Sequence, residues 1–135
     1  MKNLNFDNGI REFCINDNPN AVIRICVTDF SLPARFAKMH DEISDLLGEL
    51  KGNPQAIAEA DKEIRVKINE LLGGDVSDAL FGSVNCLTLA GGTPIVVNCL
   101  EALLPIVSEA VQAETAASKS RIEKYTAQAA QLPQE

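Results

Sequence analysis

The segment Leu71-Leu72-Gly73-Gly74-Asp75-Val76-Ser77-Asp78-Ala79-Leu80-Phe81-Gly82 interrupts this chain after two long stretches of helical periodicity, and Gly91-Gly92-Thr93-Pro94 follows it before a third. Glycine enters the left-handed conformation that ends a helix without a steric penalty, so Gly73 predicts a helix end. Ser77 or Asp75 supplies a capping oxygen for a short new helix, which Gly82 closes within a turn or two. Thr93 offers an N-cap oxygen, and Pro94 suits the first helical position, where its missing N–H costs nothing. The segment is structural punctuation. Phe81 is its apolar anchor, and Gly73, Gly74, Gly82, Gly92, Thr93 and Pro94 are its candidate hinge positions.

The flanking periodicities set the rest of the architecture. Leu32, Phe36, Met39, Ile43, Leu46 and Leu50 recur at alternating four- and three-residue steps, which lines one face of a helix over 30–51. Thr28-Asp29 starts it, with Pro33 tolerated in its first turn. Lys51-Gly52-Asn53-Pro54 breaks it, and a second helix over 54–72 presents Ile57, Ile64, Ile68, Leu71 and Leu72 on one side. Two such helices joined by a short turn form an antiparallel hairpin. A short helix follows over 76–82, then Val84–Leu89 as another brief helix or an extended linker. The last helix starts at Pro94 and packs to residue 112. Pro105 predicts a kink in it and is a further hinge candidate, since the ring removes one ladder bond and clashes with the carbonyl four residues back.

Residues 3–27 read as strands. Asp7-Asn8-Gly9 is a tight-turn signal between Leu4-Asn5-Phe6 and Ile10–Ile15, because Asn-Gly tolerates the positive dihedrals of a two-residue hairpin. A second turn over Asn16–Asn20 leads into Ala21–Val27, where Ile23, Ile25 and Val27 alternate with Val22, Arg24 and Cys26. The expected fold is therefore mainly α with a small N-terminal antiparallel β-meander: one globular domain over 1–112, then a projecting or frayed helical tail over 113–135.

Length and composition agree with one core. A chain of 135 residues supports a single domain, and 46% apolar residues with no Trp, one Tyr and five Phe imply a core of Leu, Ile, Val and Ala. The formal charge of −7 opposes nucleic acid and an anionic membrane surface as partners. The N-terminus lacks the apolar run of a signal peptide, and no later segment reads as a membrane span, so a cytoplasmic protein is expected.

Candidate chemistry is sparse. His40 is the one histidine and has no neighbouring nucleophile motif. Asp41, Asp45 and Glu49 fall on one helix face, but a calcium loop gathers oxygen ligands around a sharp glycine turn, so this is a solvated acidic stripe. Cys14, Cys26, Cys86 and Cys99 include no CxxC pair and read as reduced, buried thiols. The glycine pairs lack the Lys-Ser/Thr of a phosphate loop. No catalytic residue, metal or cofactor is expected. Two surfaces remain as candidates for binding: Ala110, Ala113, Ala116 and Ala117 on the last helix, where small side chains allow close approach by a partner or a second copy, and the free edge of the strands.

With these pieces in order, the chain resembles the tail assembly chaperones of long-tailed bacteriophages, in the type found in phages and prophages of Gram-positive bacteria. The resemblance spans roughly residues 4–107 and rests on Phe6-Asp7-Asn8-Gly9, Val27-Thr28-Asp29-Phe30, Ile68-Asn69-Glu70-Leu71-Leu72-Gly73, Ala79-Leu80-Phe81-Gly82 and Gly91-Gly92-Thr93-Pro94. It implies a non-enzymatic protein of the host cytoplasm, absent from the finished virion. Such a protein binds the tape-measure protein, keeps its hydrophobic helices soluble and helps recruit tail-tube protein. The resemblance also implies a longer frameshifted form beside a shorter one ending in Leu132-Pro133-Gln134-Glu135. A structural phage protein, such as a head–tail connector or minor tail component, and a small adaptor module are the alternatives.

Overall fold

A computed structural model describes residues 1–50 and 52–131, and their side chains as far as Gln128; the expected last residue of the first helix, Lys51, and the tail end 132–135 lie outside the described residues. The chain opens with a two-stranded antiparallel hairpin, β1 (Ile10–Ile15) and β2 (Asn18–Cys26). The expected alternation holds on β2 and just beyond it, with Ile23, Ile25 and Val27 all buried. On the opposite face Arg24 pairs with Glu12 at 3.4 Å. The register shifts between Cys14 and Ile15, a bulge next to the turn.

The meander loses its expected first strand. Leu4-Asn5-Phe6 carries no strand, and the hairpin turn is Asn16-Asp17, whose φ values of 51° and 62° are those of a primed two-residue turn. Asn8-Gly9 serves another purpose. Asp7 Oδ1 accepts the Gly9 N–H and Asn8 Oδ1 accepts the Ile10 N–H, so two local side-chain turns aim the chain into β1. Gly9 sits at φ 78°, and a Cβ there would collide with Thr28 Oγ1. Only glycine fits that crossing.

Helix α1 (Leu32–Leu50) buries Leu32, Phe36, Met39 and Ile43, as its period predicts. Asp29 turns the chain into it, accepting the Ser31 N–H at 2.9 Å and the Ser31 hydroxyl at 2.7 Å just before the first turn. Helix α2 (Pro54–Leu72) is capped by Asn53, whose side chain accepts from the N–H groups of Gln55 and Ala56. The two helices run antiparallel. Arg35, early in α1, donates to the Glu70 carbonyl near the end of α2, while Glu42 pairs with Lys67 at 3.5 Å.

After the short helix α3 (Ser77–Phe81), the stretch 84–88 is a run of turns. A two-residue ladder, β3 (Leu89–Ala90) with β4 (Thr93–Pro94), then folds over Gly91-Gly92, both at positive φ. Thr93-Pro94 is therefore strand, and Thr93 does not cap the last helix. That helix, α4 (Ile95–Gln131), has its first N–H groups taken by backbone: Ile95 donates to the Thr88 carbonyl and Val96 to the Cys86 carbonyl, each at 2.9 Å. Val96, Val97, Leu100, Leu103 and Val107 complete one core with β2, α1 and α2.

α4 runs unbroken through Pro105, whose ring lies on the exposed side, where water can satisfy the carbonyl left without a donor. The expectation that no later segment reads as a membrane span is corrected. The stretch Ile95–Gln128, with a mean hydropathy of 1.5 in its most apolar window, is long and apolar enough by length and composition to cross a membrane. A helix that packs a domain core meets the same criteria, and α4 does so over its first half.

Candidate functional site

The joint between the central helices and α4 is built by side chains that carry no sequence signature. Gly73 ends α2 at φ 77°, and both Gly73 and Gly74 donate to the Asn69 carbonyl, as the glycine pair predicts. The start of α3 differs from expectation. Neither Ser77 nor Asp75 supplies the capping oxygen; Asn69 Oδ1, one turn inside α2, accepts the N–H groups of Val76 and Ser77, both at 2.9 Å. One asparagine therefore closes one helix with its backbone and opens the next with its side chain.

Phe81 is buried, 6% exposed, as its role of anchor requires. Arg65 of α2 covers it, with Cζ 5.5 Å from the ring centre. The same guanidinium donates to the carbonyls of Gly82 at 2.9 Å and Val84 at 2.7 Å, and it meets Asp61 through Nε at 3.2 Å. Asp61 in turn accepts the Cys86 N–H at 2.8 Å. Burial raises the Asp61 pKa, but the Cys86 and Arg65 hydrogen bonds outweigh it and hold the carboxyl below its ordinary value. Gly82, at φ 59°, donates back to the Asp78 carbonyl. The hinge candidates Gly73, Gly74, Phe81 and Gly82 thus belong to one clamped corner. Gly92, Thr93 and Pro94 sit on the small ladder that follows, and Pro105 lies further along α4.

Asp61 and Arg65 stand four residues apart on a helix, a spacing legible as an ion pair. Its reach to Gly82 and Val84 is a tertiary fact. Asn69 and Cys86 gave no signal of these contacts.

Beside this corner an apolar groove of about 520 Å³ opens between the inner side of the hairpin and α4, walled by Ile15, Ile23, Leu80, Ile95, Leu103 and Ile106. Phe13, Cys14, Ala102 and Cys99 complete its rim, and the sequence had no means of joining these distant residues. Through Ile15, Asn16 and Leu80 it continues into an open cleft that holds Asp75 and Asp78.

The other candidate groups stay apart. His40 is exposed, with Nδ1 3.9 Å from the adjacent Asp41. Asp41, Asp45 and Glu49 are exposed, and among the described residues no group of three or more His, Cys, Asp or Glu side chains could hold a metal. The cysteines are free thiols but not all buried: Cys86 is buried, Cys26 and Cys99 are half-buried, and Cys14 is exposed. Strand alternation explains the exception, since Cys14 and Val22 are cross-strand partners on the face away from Ile23 and Ile25. Burial pushes the Cys86 thiol up to about 12 and Cys99 to about 11. Of the alanines, Ala110 is half-buried against the core, while Ala113, Ala116 and Ala117 are exposed.

Comparisons with protein-family models, with curated proteins and with solved structures returned no match to this chain.

Proposed function

We propose that this chain is a non-enzymatic assembly chaperone of a long-tailed bacteriophage, acting in the bacterial cytoplasm, that binds the tape-measure protein, keeps it soluble and helps recruit tail-tube subunits. The observation that carries the reading is the open apolar groove between the hairpin and α4, walled by aliphatic side chains of several elements. A holding chaperone needs apolar surface that a client can reach, and a concave surface of this kind recognises apolar segments. The resemblance in the ordered motifs from Phe6-Asp7-Asn8-Gly9 to Gly91-Gly92-Thr93-Pro94 supplies the class of client. The net charge of −7 suits a carrier that must keep an apolar client in solution.

The test is co-expression with the tape-measure protein encoded beside it. The expected result is that the tape-measure protein moves to the soluble fraction and co-purifies with this chain. A tape-measure protein that stays insoluble with nothing co-purifying ends the proposal.

A further inference from the structure

The groove and the cleft that continues it have an unusual charge distribution. Among the described residues no charged side chain lines the groove, and Asp75 and Asp78 are the charged residues lining the cleft. Their charge is open to an incoming partner. The Asp78 side chain is 86% exposed and meets one cation, Arg65, at 3.4 Å; Asp75 meets the Asn69 amide, also at 3.4 Å.

The groove also restricts the backbone conformation of what enters it. Its walls are mainly carbon, and its polar side chains are Asn16 and Asn98. Asn98 already donates to the Ala90 carbonyl at 2.9 Å. An extended segment could pair with the free edge of β1, whose end lines one side of the groove, but the N–H and C=O groups along its other edge would face the α4 wall with almost nothing to receive them, each at a cost of roughly 1–3 kcal/mol. A helix carries its backbone bonds with it and presents only side chains.

Resting on the chaperone reading, we infer that the groove receives an amphipathic helix of the client, apolar face inward, with basic residues at the end that lies over Asp75 and Asp78. The aliphatic walls supply most of the affinity. The aspartates fix which way the helix lies, because charge complementarity at a rim governs orientation and selectivity more than strength. A helix with acidic residues at that end is rejected.

The test uses the full chain and two synthetic amphipathic peptides with the same leucine face, one ending in lysines and the other in glutamates. The lysine peptide binds tighter by about tenfold at low salt, and the difference shrinks as salt rises. In the double variant Asp75→Asn, Asp78→Asn the two peptides bind alike. Ala102→Arg, which puts a charge into the groove from an exposed position, weakens both.

Equal binding of the two peptides to the unaltered chain overturns the inference. A dimer of this chain that Ala102→Arg dissociates overturns it too, since a second copy is then the occupant. Co-expression separates the two proposals. If Ala102→Arg and the unaltered chain solubilise the tape-measure protein equally, the chaperone reading stands and the groove is not its surface. If the peptides behave as expected but the tape-measure protein is not solubilised, the groove stands and the chaperone reading falls.

Discussion

The guanidinium of Arg65 lies over the ring of Phe81, with Cζ 5.5 Å from the ring centre, and fastens the chain just beyond it by donating to the carbonyls of Gly82 and Val84. A single cation therefore covers the corner's apolar anchor and satisfies backbone groups that no helix or sheet takes up.

Removing either partner should loosen this corner. Phe81→Ala is expected to cost about 3 kcal/mol or more, because a buried ring leaves a cavity that the clamped backbone cannot close. Arg65→Ala should cost about 3 kcal/mol by leaving Asp61 and two carbonyls short of a donor. Arg65→Lys should recover only part of that, since an ammonium cannot reproduce the planar fork. Urea denaturation measures all three, and an unchanged midpoint for Phe81→Ala would contradict the packing described.

Asn69→Ala removes the acceptor for the Val76 and Ser77 N–H groups and is expected to cost about 1–2 kcal/mol, the range of a lost N-cap. Ser77→Ala should cost clearly less, because its hydroxyl does not cap α3. The reverse order of midpoints would return the capping role to Ser77.

Stability should fall at both ends of the pH scale. The native Asp61 pKa lies below its unfolded value, so its contribution is present above the unfolded value and is lost as pH falls through the native one; Asp61→Asn should flatten the acid limb. The Cys86 and Cys99 pKa values are raised, so their contribution is complete below 9.0 and is lost as pH rises towards about 11 for Cys99 and about 12 for Cys86. Denaturant midpoints measured across pH, with Cys99→Ala as comparison, check both signs. A thiol reagent should modify Cys14 at once and Cys86 only on unfolding.

Deleting residues 113–135 should leave the core intact, because every residue from Gln112 to Gln128 is exposed. The expected result is a thermal midpoint within a few degrees of the full chain, and a helical signal reduced in proportion to the residues removed. A large drop in midpoint would mean that the tail packs on the domain.

Much of the fold was legible because it follows from period and local chemistry. The stripe Leu32-Phe36-Met39-Ile43 and the alternation Ile23-Ile25-Val27 record which side of each element must leave water. Pro54 and Gly73 mark helix ends through dihedral constraints that act within one residue. Asn8-Gly9 misled, because an Asn-Gly pair states that positive φ is allowed and not what the position is for. Here Gly9 makes room for Thr28, and Asn16-Asp17 makes the hairpin turn. Thr93-Pro94 misled in the same way: carbonyls of Thr88 and Cys86, folded back from the preceding loop, took the N–H groups that Thr93 was expected to help satisfy.

The sequence by itself determined the long helices, the alternation of β2, their buried faces and the glycine-rich joint, since hydrophobic period and backbone freedom are properties of neighbouring residues. Tertiary structure alone decided what the joint does. Asn69 reaches across to Val76, Arg65 to Gly82 and Val84, and Asp61 to Cys86, over separations that no local pattern encodes. The groove is tertiary for the same reason. Ile15, Leu80 and Ile106 become one surface only when the hairpin, α3 and the first half of α4 close on a shared core, because burying the other faces of those elements leaves these side chains together at its edge.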